Sequence, residues 1–308
     1  MDTILTTILY LAVIIAVGFA AQITKFVPNV KESVSRLLTH ICIPCLLITT
    51  ISSFEVTWDL AKEIGTVMAF ALASVLVLMG IGFLTAKVCR LAPDEKGVHI
   101  CLSAFGNVVF LAYPVITAVF GEKGLLLAAF YGLVNDSLFY TLGVFMISGK
   151  KSAKSILNPI TLSVFAAIFM LCFGLRLPAV IGEPLAALGK VTTPLAMLFI
   201  GASLAKTNLL SILKKYYIFI LSAIKLVIFP VLLLLFMELL NRAFGFGIPS
   251  LVKGVIILQV AMPAQSITAV LAETYGGDSV YATQCIFVTT LLSLVTLPLV
   301  YYILGFFP

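Results

Sequence analysis

Apolar runs separated by charges, glycines and prolines recur along the whole chain, at about 3–22, 34–53, 63–86, 98–119, 124–147, 158–175, 184–205, 215–239, 252–272 and 279–304. Each comes close to the roughly 20 residues a helix needs to cross the hydrocarbon of a bilayer. Strands cannot account for them, because an open sheet edge in lipid would leave backbone groups unpaired. The pattern predicts an all-α polytopic membrane protein with ten transmembrane helices. The first run is preceded by only one charge, Asp2, and ends near Gln22 and Lys25 without a cleavage signal, so it is expected to be a retained helix.

Composition sharpens this picture. Of 308 residues, 62% are hydrophobic and 10% charged, against about 25% charged in soluble domains, and the mean hydropathy is +1.20. Ten spans leave no room for a sizeable soluble domain. The net charge of +6 does not mark a nucleic-acid surface, since the basic residues stand singly or in pairs at the ends of apolar runs. They read instead as topology signals. One set of alternate loops holds twelve: Lys25, Lys31, Arg36, Lys87, Arg90, Lys96, Lys150, Lys151, Lys154, Lys206, Lys214 and Lys215. The other holds five, Lys62, Lys123, Arg176, Arg242 and Lys253. The richer side is expected in the cytoplasm, which puts both termini outside a bacterial inner or plasma membrane.

The chain also reads as a duplication. Pro44 and Pro194 are 150 residues apart, in the second and seventh runs, and Pro114 and Pro263 are 149 apart, in the fourth and ninth. Residues 1–150 and 151–308 then hold five helices each. An odd number forces the second half to enter the membrane from the opposite face, giving inverted repeats of the kind found in secondary transporters.

Candidate chemistry clusters at the interior prolines. A proline removes a helical hydrogen bond and frees backbone groups at membrane depth. Gly106 and Asn107 precede Pro114, while Gln259 precedes Pro263 and Gln265, Ser266 and Thr268 follow it. One proline alone would be read as a simple kink, but paired breaks with amides and hydroxyls beside them point to a binding site for solute. Asn135 and Asp136 lie mid-helix, where an acid costs at least about 2.5 kcal/mol; a proton or cation site is one reading and a neutral structural hydrogen bond the other. Lys225 lies about ten residues into the eighth run, as a structural residue or a charge partner, with Asp136 one candidate.

Other patterns carry less. Cys42 and Cys45 lie in an apolar helix without a redox fold, and the six cysteines read as small buried hydrophobes. His40 and His99 are too far apart for a metal-ligand cluster, and no nucleotide-binding loop or nucleophile motif is present. No metal, cofactor or enzymatic activity is expected, apart from coupling to H+ or Na+.

Phe105-Gly106-Asn107, Tyr113-Pro114, Phe120-Gly121, Asn158-Pro159, Gly201-Ala202-Ser203-Leu204, Lys225-Leu226 with Pro230, and above all Met262-Pro263-Ala264 through Leu271-Ala272-Glu273 to Tyr275-Gly276-Gly277-Asp278 resemble the auxin efflux carrier family. The likeness extends over essentially the whole chain and is closest to short bacterial members described as malate or malonate transporters. It implies that helices 4 and 9 cross at their breaks, with Asn107, Pro114 and Pro263 marking the crossing. It also implies a scaffold of helices 1, 2, 6 and 7, often dimeric, and a mobile transport domain of helices 3–5 and 8–10. Tyr113 and Ile267 stand where relatives often carry a glycine and an asparagine.

The resulting expectation is a carrier of small organic anions working by elevator-like alternating access. Asn107, Gln265 and Ser266 would bond the solute, and Asp136, with Asn135 and Gln259, would serve the coupling ion. The rival readings are a cation antiporter, a bile-acid-type symporter and a solute sensor that does not transport.

Overall fold

The computed structural model describes residues 2–24, 30–55, 57–148, 159–205 and 215–306. Among them every regular element is helical. Six helices are long and apolar enough to cross a membrane: Ser33–Ile51, Trp58–Val88, Ala112–Ser148, Ala179–Ala202, Tyr216–Phe244 and Ser279–Leu304. Shorter apolar helices cover Val13–Thr24, Pro159–Cys172 and Ser250–Val260. The chain is thus a multi-pass membrane protein. Asn158 and several of the basic loop residues, Lys150, Lys151, Lys154, Lys206 and Lys214 among them, lie outside the described residues.

The elements are α1 (Asp2–Thr24), α2 (Val30–Leu37), α3 (Ile43–Ile51), α4 (Trp58–Val88), α5 (Pro93–Ala104), α6 (Ala112–Leu138), α7 (Val144–Ser148), α8 (Pro159–Cys172), α9 (Ala179–Lys190), α10 (Thr192–Leu204), α11 (Tyr216–Ala223), α12 (Phe229–Phe244), α13 (Ser250–Val260), α14 (Thr268–Tyr275) and α15 (Ser279–Leu304). Wider π turns at Leu38–Cys42, Phe139–Gly143 and Ile224–Ile228 join α2 to α3, α6 to α7 and α11 to α12.

Several of these irregularities follow from proline. A proline ring crowds the carbonyl four residues earlier and supplies no N–H to it, and a widened turn relieves both problems. The residues four before Pro44 and Pro230 are His40 and Leu226, each inside a π turn. The residue four before Pro194 is Lys190, where α9 gives way to α10. Gly121, at φ 66°, bends α6 sharply.

The helices form two compact units. The first comprises Met1–Ile64, Val109–Leu133 and Leu157–Lys206. There α1 lies against α10 through glycines: a Cβ on Gly18 would run into the Leu198 backbone, and one on Gly201 into the Ile15 carbonyl. Gly189 of α9 likewise sits on the Leu46 backbone of α3. Small residues of this kind let helix backbones approach closely in lipid.

The second unit comprises Gly65–Val108, Val134–Ile156 and Thr207–Pro308. Its core gathers Val98 and Leu102 of α5, Leu221 of α11, Ala272 of α14 and Tyr281 and Cys285 of α15. The Asp278 side chain caps α15 by accepting from Tyr281 N at 2.8 Å. Two sequence expectations are corrected here. Lys253, expected in a loop, is on the first turn of α13, is 2% exposed and pairs with Glu238 of α12; a carboxylate partner lets it sink. Cys172, expected to be buried, is exposed at the end of α8, while Cys42, Cys101 and Cys285 are buried.

Candidate functional site

Within the second unit, α5 ends at Ala104 and the chain runs extended at Phe105, whereas α13 ends at Val260 and keeps a helical backbone at Ala261 before reaching Pro263. The two interrupted segments pair. Asn107 N donates to Pro263 O at 2.7 Å, Gln265 N donates to Phe105 O at 3.2 Å, and Gly106 stands opposite Ala264 as a single antiparallel bridge. The arrangement is symmetric about the Gly106–Ala264 pair. Each break supplies one donor and one acceptor to the other, so these four backbone groups are satisfied without water.

Two neighbouring helices repair what remains. In a continuous helix Ser103 O would accept from Asn107 N, which here turns to Pro263; Lys225 Nζ takes its place at 3.0 Å. Ala264 N, deprived of its helical acceptor, donates to Thr289 Oγ1 of α15 at 3.2 Å, and that hydroxyl spends its own proton on Cys285 O. Lys225 and Leu226 are both buried within the π turn that precedes Pro230. Among the described residues Lys225 thus bonds a backbone carbonyl, and Asp136, one candidate partner from the sequence, bonds Asn135 and Gln265.

Around the bridge the polar side chains converge. Asn107 Nδ2 reaches Ser266 Oγ at 3.4 Å, and Gln265 Nε2 reaches Asp136 Oδ1 at 3.5 Å. Asn135 Nδ2 donates to the same carboxyl oxygen at 3.2 Å. Asn107, Asn135 and Asp136 are buried, and Gln259 is buried on the last turn of α13. Gln265 Oε1 and Thr268 Oγ1, both shielded from solvent, have no hydrogen-bond partner among the described residues. Thr268 opens α14, whose N-terminus carries partial positive charge.

Pro263 lies within its break, but Pro114 does not: the fourth helix is interrupted over Phe105–Leu111, and Pro114 stands in the first turn of α6, where its missing N–H is harmless. Pro114 belongs to the first unit, as do Pro44 and Pro194. Pro114 and Pro263 therefore stand differently relative to their breaks. On either side of the Gly106–Ala264 bridge, Asn107 and Gln265 hold matching positions, and both are amides. Ser103 and Thr289 were not legible as site residues, because a serine carbonyl and a lone threonine in apolar helices carry no distinguishing signal.

A buried meeting of broken helices, dressed with two amides, a hydroxyl, a carboxyl and a lysine amine, is consistent with a membrane transport protein. The chain belongs to the membrane transport protein family, the auxin efflux carriers, whose profile matches residues 3–154 and again residues 148–301. It is similar to an uncharacterized transporter of Methanocaldococcus jannaschii, 27% identical over 306 residues, covering 95% of this chain and 96% of the relative. A second uncharacterized transporter, of Methanothermobacter thermautotrophicus, is 25% identical over 301 residues with the same coverage.

Proposed function

We propose that the protein is a secondary active transporter that carries small organic anions across the plasma membrane by elevator-like alternating access. The observation that supports this best is the bridged pair of helix breaks, which presents Asn107, Gln265 and Ser266 at the point where two interrupted helices meet. Amides and a hydroxyl there can donate to a carboxylate, and the N-terminus of α14 favours negative charge. Asp136, held by Asn135 and Gln265, is the coupling group for H+ or Na+.

In this reading residues 1–150 and 151–308 are inverted repeats of five helices each. Helices 1, 2, 6 and 7 form a scaffold through which two copies associate, helices 3–5 and 8–10 form the moving domain, and both termini face outward. Asp136 also favours a second reading, a cation antiporter or sodium symporter, since it is an intramembrane carboxyl with amide neighbours. A single carboxyl at the crossing is a sparse ligand set for a cation, which weighs toward the anion.

Counterflow of labelled C3 to C5 mono- and dicarboxylates into proteoliposomes preloaded with the same solute tests the proposal without knowledge of the driving ion. Accumulation of one solute is expected. Folded protein that accumulates none of them, yet moves protons or sodium against a cation gradient, would replace the anion reading with exchange.

A further inference from the structure

Among the lysines of the second unit withdrawn from solvent in part or in full, two face carboxylates. Lys253 pairs with Glu238, and Lys215 with Glu95 at 2.7 Å and Asp278 at 3.7 Å. Lys225 is 1% exposed, yet among the described residues its partner is the carbonyl of Ser103 and not an acid. An ammonium has three protons to donate; this contact uses one.

The repair of Ser103 O calls for a donor but not for a charge: an amide side chain at position 225 could donate to it. A charge at such depth is expensive and is kept where it acts. The Lys225 amine lies against Ser103 in the last turn of α5, two residues before Phe105, where the bridged segment begins. The π turn set by Pro230 buries Lys225 together with Leu226. The other ionisable group at the crossing, Asp136, is held by Asn135 and Gln265 and has the wrong sign to attract an anion.

We infer that Lys225 is the specificity-determining amine of the crossing, the group that stands as a cation opposite a bound carboxylate and so makes the carrier select solutes bearing one over uncharged molecules of the same shape. The inference rests on the transport reading above and narrows it. Repair of the break needs the N–H of Lys225, while selection of the solute needs its charge, and the two roles can be separated by substitution.

Lys225→Gln keeps a donor for Ser103 O and removes the charge; Lys225→Arg keeps both. In proteoliposomes, wild type and Lys225→Arg are expected to show carboxylate counterflow. Lys225→Gln, eluting as a folded species, is expected to lose about 30-fold or more in apparent affinity for the carboxylate while binding its primary-amide analogue no more weakly than wild type does. A Lys225→Gln protein with carboxylate affinity within about threefold of wild type would reduce Lys225 to a backbone prop and overturn the inference, leaving the transport reading intact. Should Lys225→Gln fail to fold, wild type decides alone. Preference for a carboxylate over its amide of about 30-fold or more supports the inference, and equal transport of the two overturns it. Wild type that moves no carboxylate at all would overturn the transport reading and this inference with it.

Discussion

His99 of α5 and Tyr281 of α15, 182 positions apart in the chain, share a hydrogen bond of 2.6 Å between imidazole Nδ1 and the phenol oxygen. The other ring nitrogen lies 2.8 Å from Thr85 Oγ1 of α4, and that hydroxyl gives its proton to the Ile81 carbonyl. Thr85 must therefore accept from Nε2–H, which leaves Nδ1 to accept from Tyr281. Three helices of the second unit are tied by one neutral imidazole whose tautomer is fixed by its neighbours.

Tyr281→Phe removes the donor and leaves Nδ1 buried without a partner. The expected cost is about 1–3 kcal/mol, seen as a lower midpoint of thermal unfolding in detergent. A midpoint equal to wild type would mean that the imidazole has turned to another donor.

At the bridge, Asn107→Ala and Gln265→Ala each remove an amide from matching positions without touching the backbone pairing. Each is expected to weaken solute binding by about 10-fold or more, the value of a hydrogen bond to a charged group, while the protein remains folded. Normal counterflow by both variants would move the solute site elsewhere.

Asp136→Asn keeps the shape of its cluster and abolishes ionisation. Uptake by this variant is expected to lose the dependence on pH or on sodium that wild type displays. An unchanged dependence, measured as initial rate across pH and across sodium concentration, would remove Asp136 from coupling.

In the first unit, Gly201→Ala forces a methyl group toward the Ile15 carbonyl of α1. Backbones in direct contact cannot yield as a flexible side chain does, so the expected loss is about 1–3 kcal/mol, again read from thermal unfolding. Gly65→Ala, within α4 where the added carbon meets nothing within 4 Å, is the control and should unfold no earlier than wild type, since alanine is favoured over glycine inside a helix.

Lys215 lies just ahead of α11, outside the spanning segments. Burial acts against its charge, but the hydrogen bond and charge of Glu95, with further help from Tyr217 and Asp278, outweigh it, and its pKa stands above the ordinary 10.5. A raised lysine contributes its full pairing stability below the unfolded value and loses it as pH climbs through the folded one. Thermal stability should therefore show no slope from this group between about pH 7 and 9 and a decline only above the ordinary lysine value. Lys215→Met should flatten that alkaline limb.

The helical character of the apolar runs was legible because length and hydropathy suffice for it, and polar residues next to prolines singled out Asn107, Gln265 and Ser266, while the meeting of their two helices was implied only by the family resemblance. The place of the first break was not legible. Pro114 drew attention to itself, whereas the interruption begins nine residues earlier at Phe105, held open by backbone bonds to a segment more than 150 residues away. Periodicity cannot report a partner so distant. The acceptor of Lys225 was hidden for the same reason, since a carbonyl becomes available only when the helix that used it has ended.

The reciprocal bonding of the two breaks bears on how such a chain could have arisen. Asn107 has its N–H satisfied by Pro263, and Gln265 has its own satisfied by Phe105. A half-length ancestor with one break would have held bare amide and carbonyl groups in hydrocarbon, where no water can cover them. It could have been stable only beside a second copy of itself. Fusion of two such copies would then have preserved an older obligate partnership, in which each break serves the other where water cannot reach.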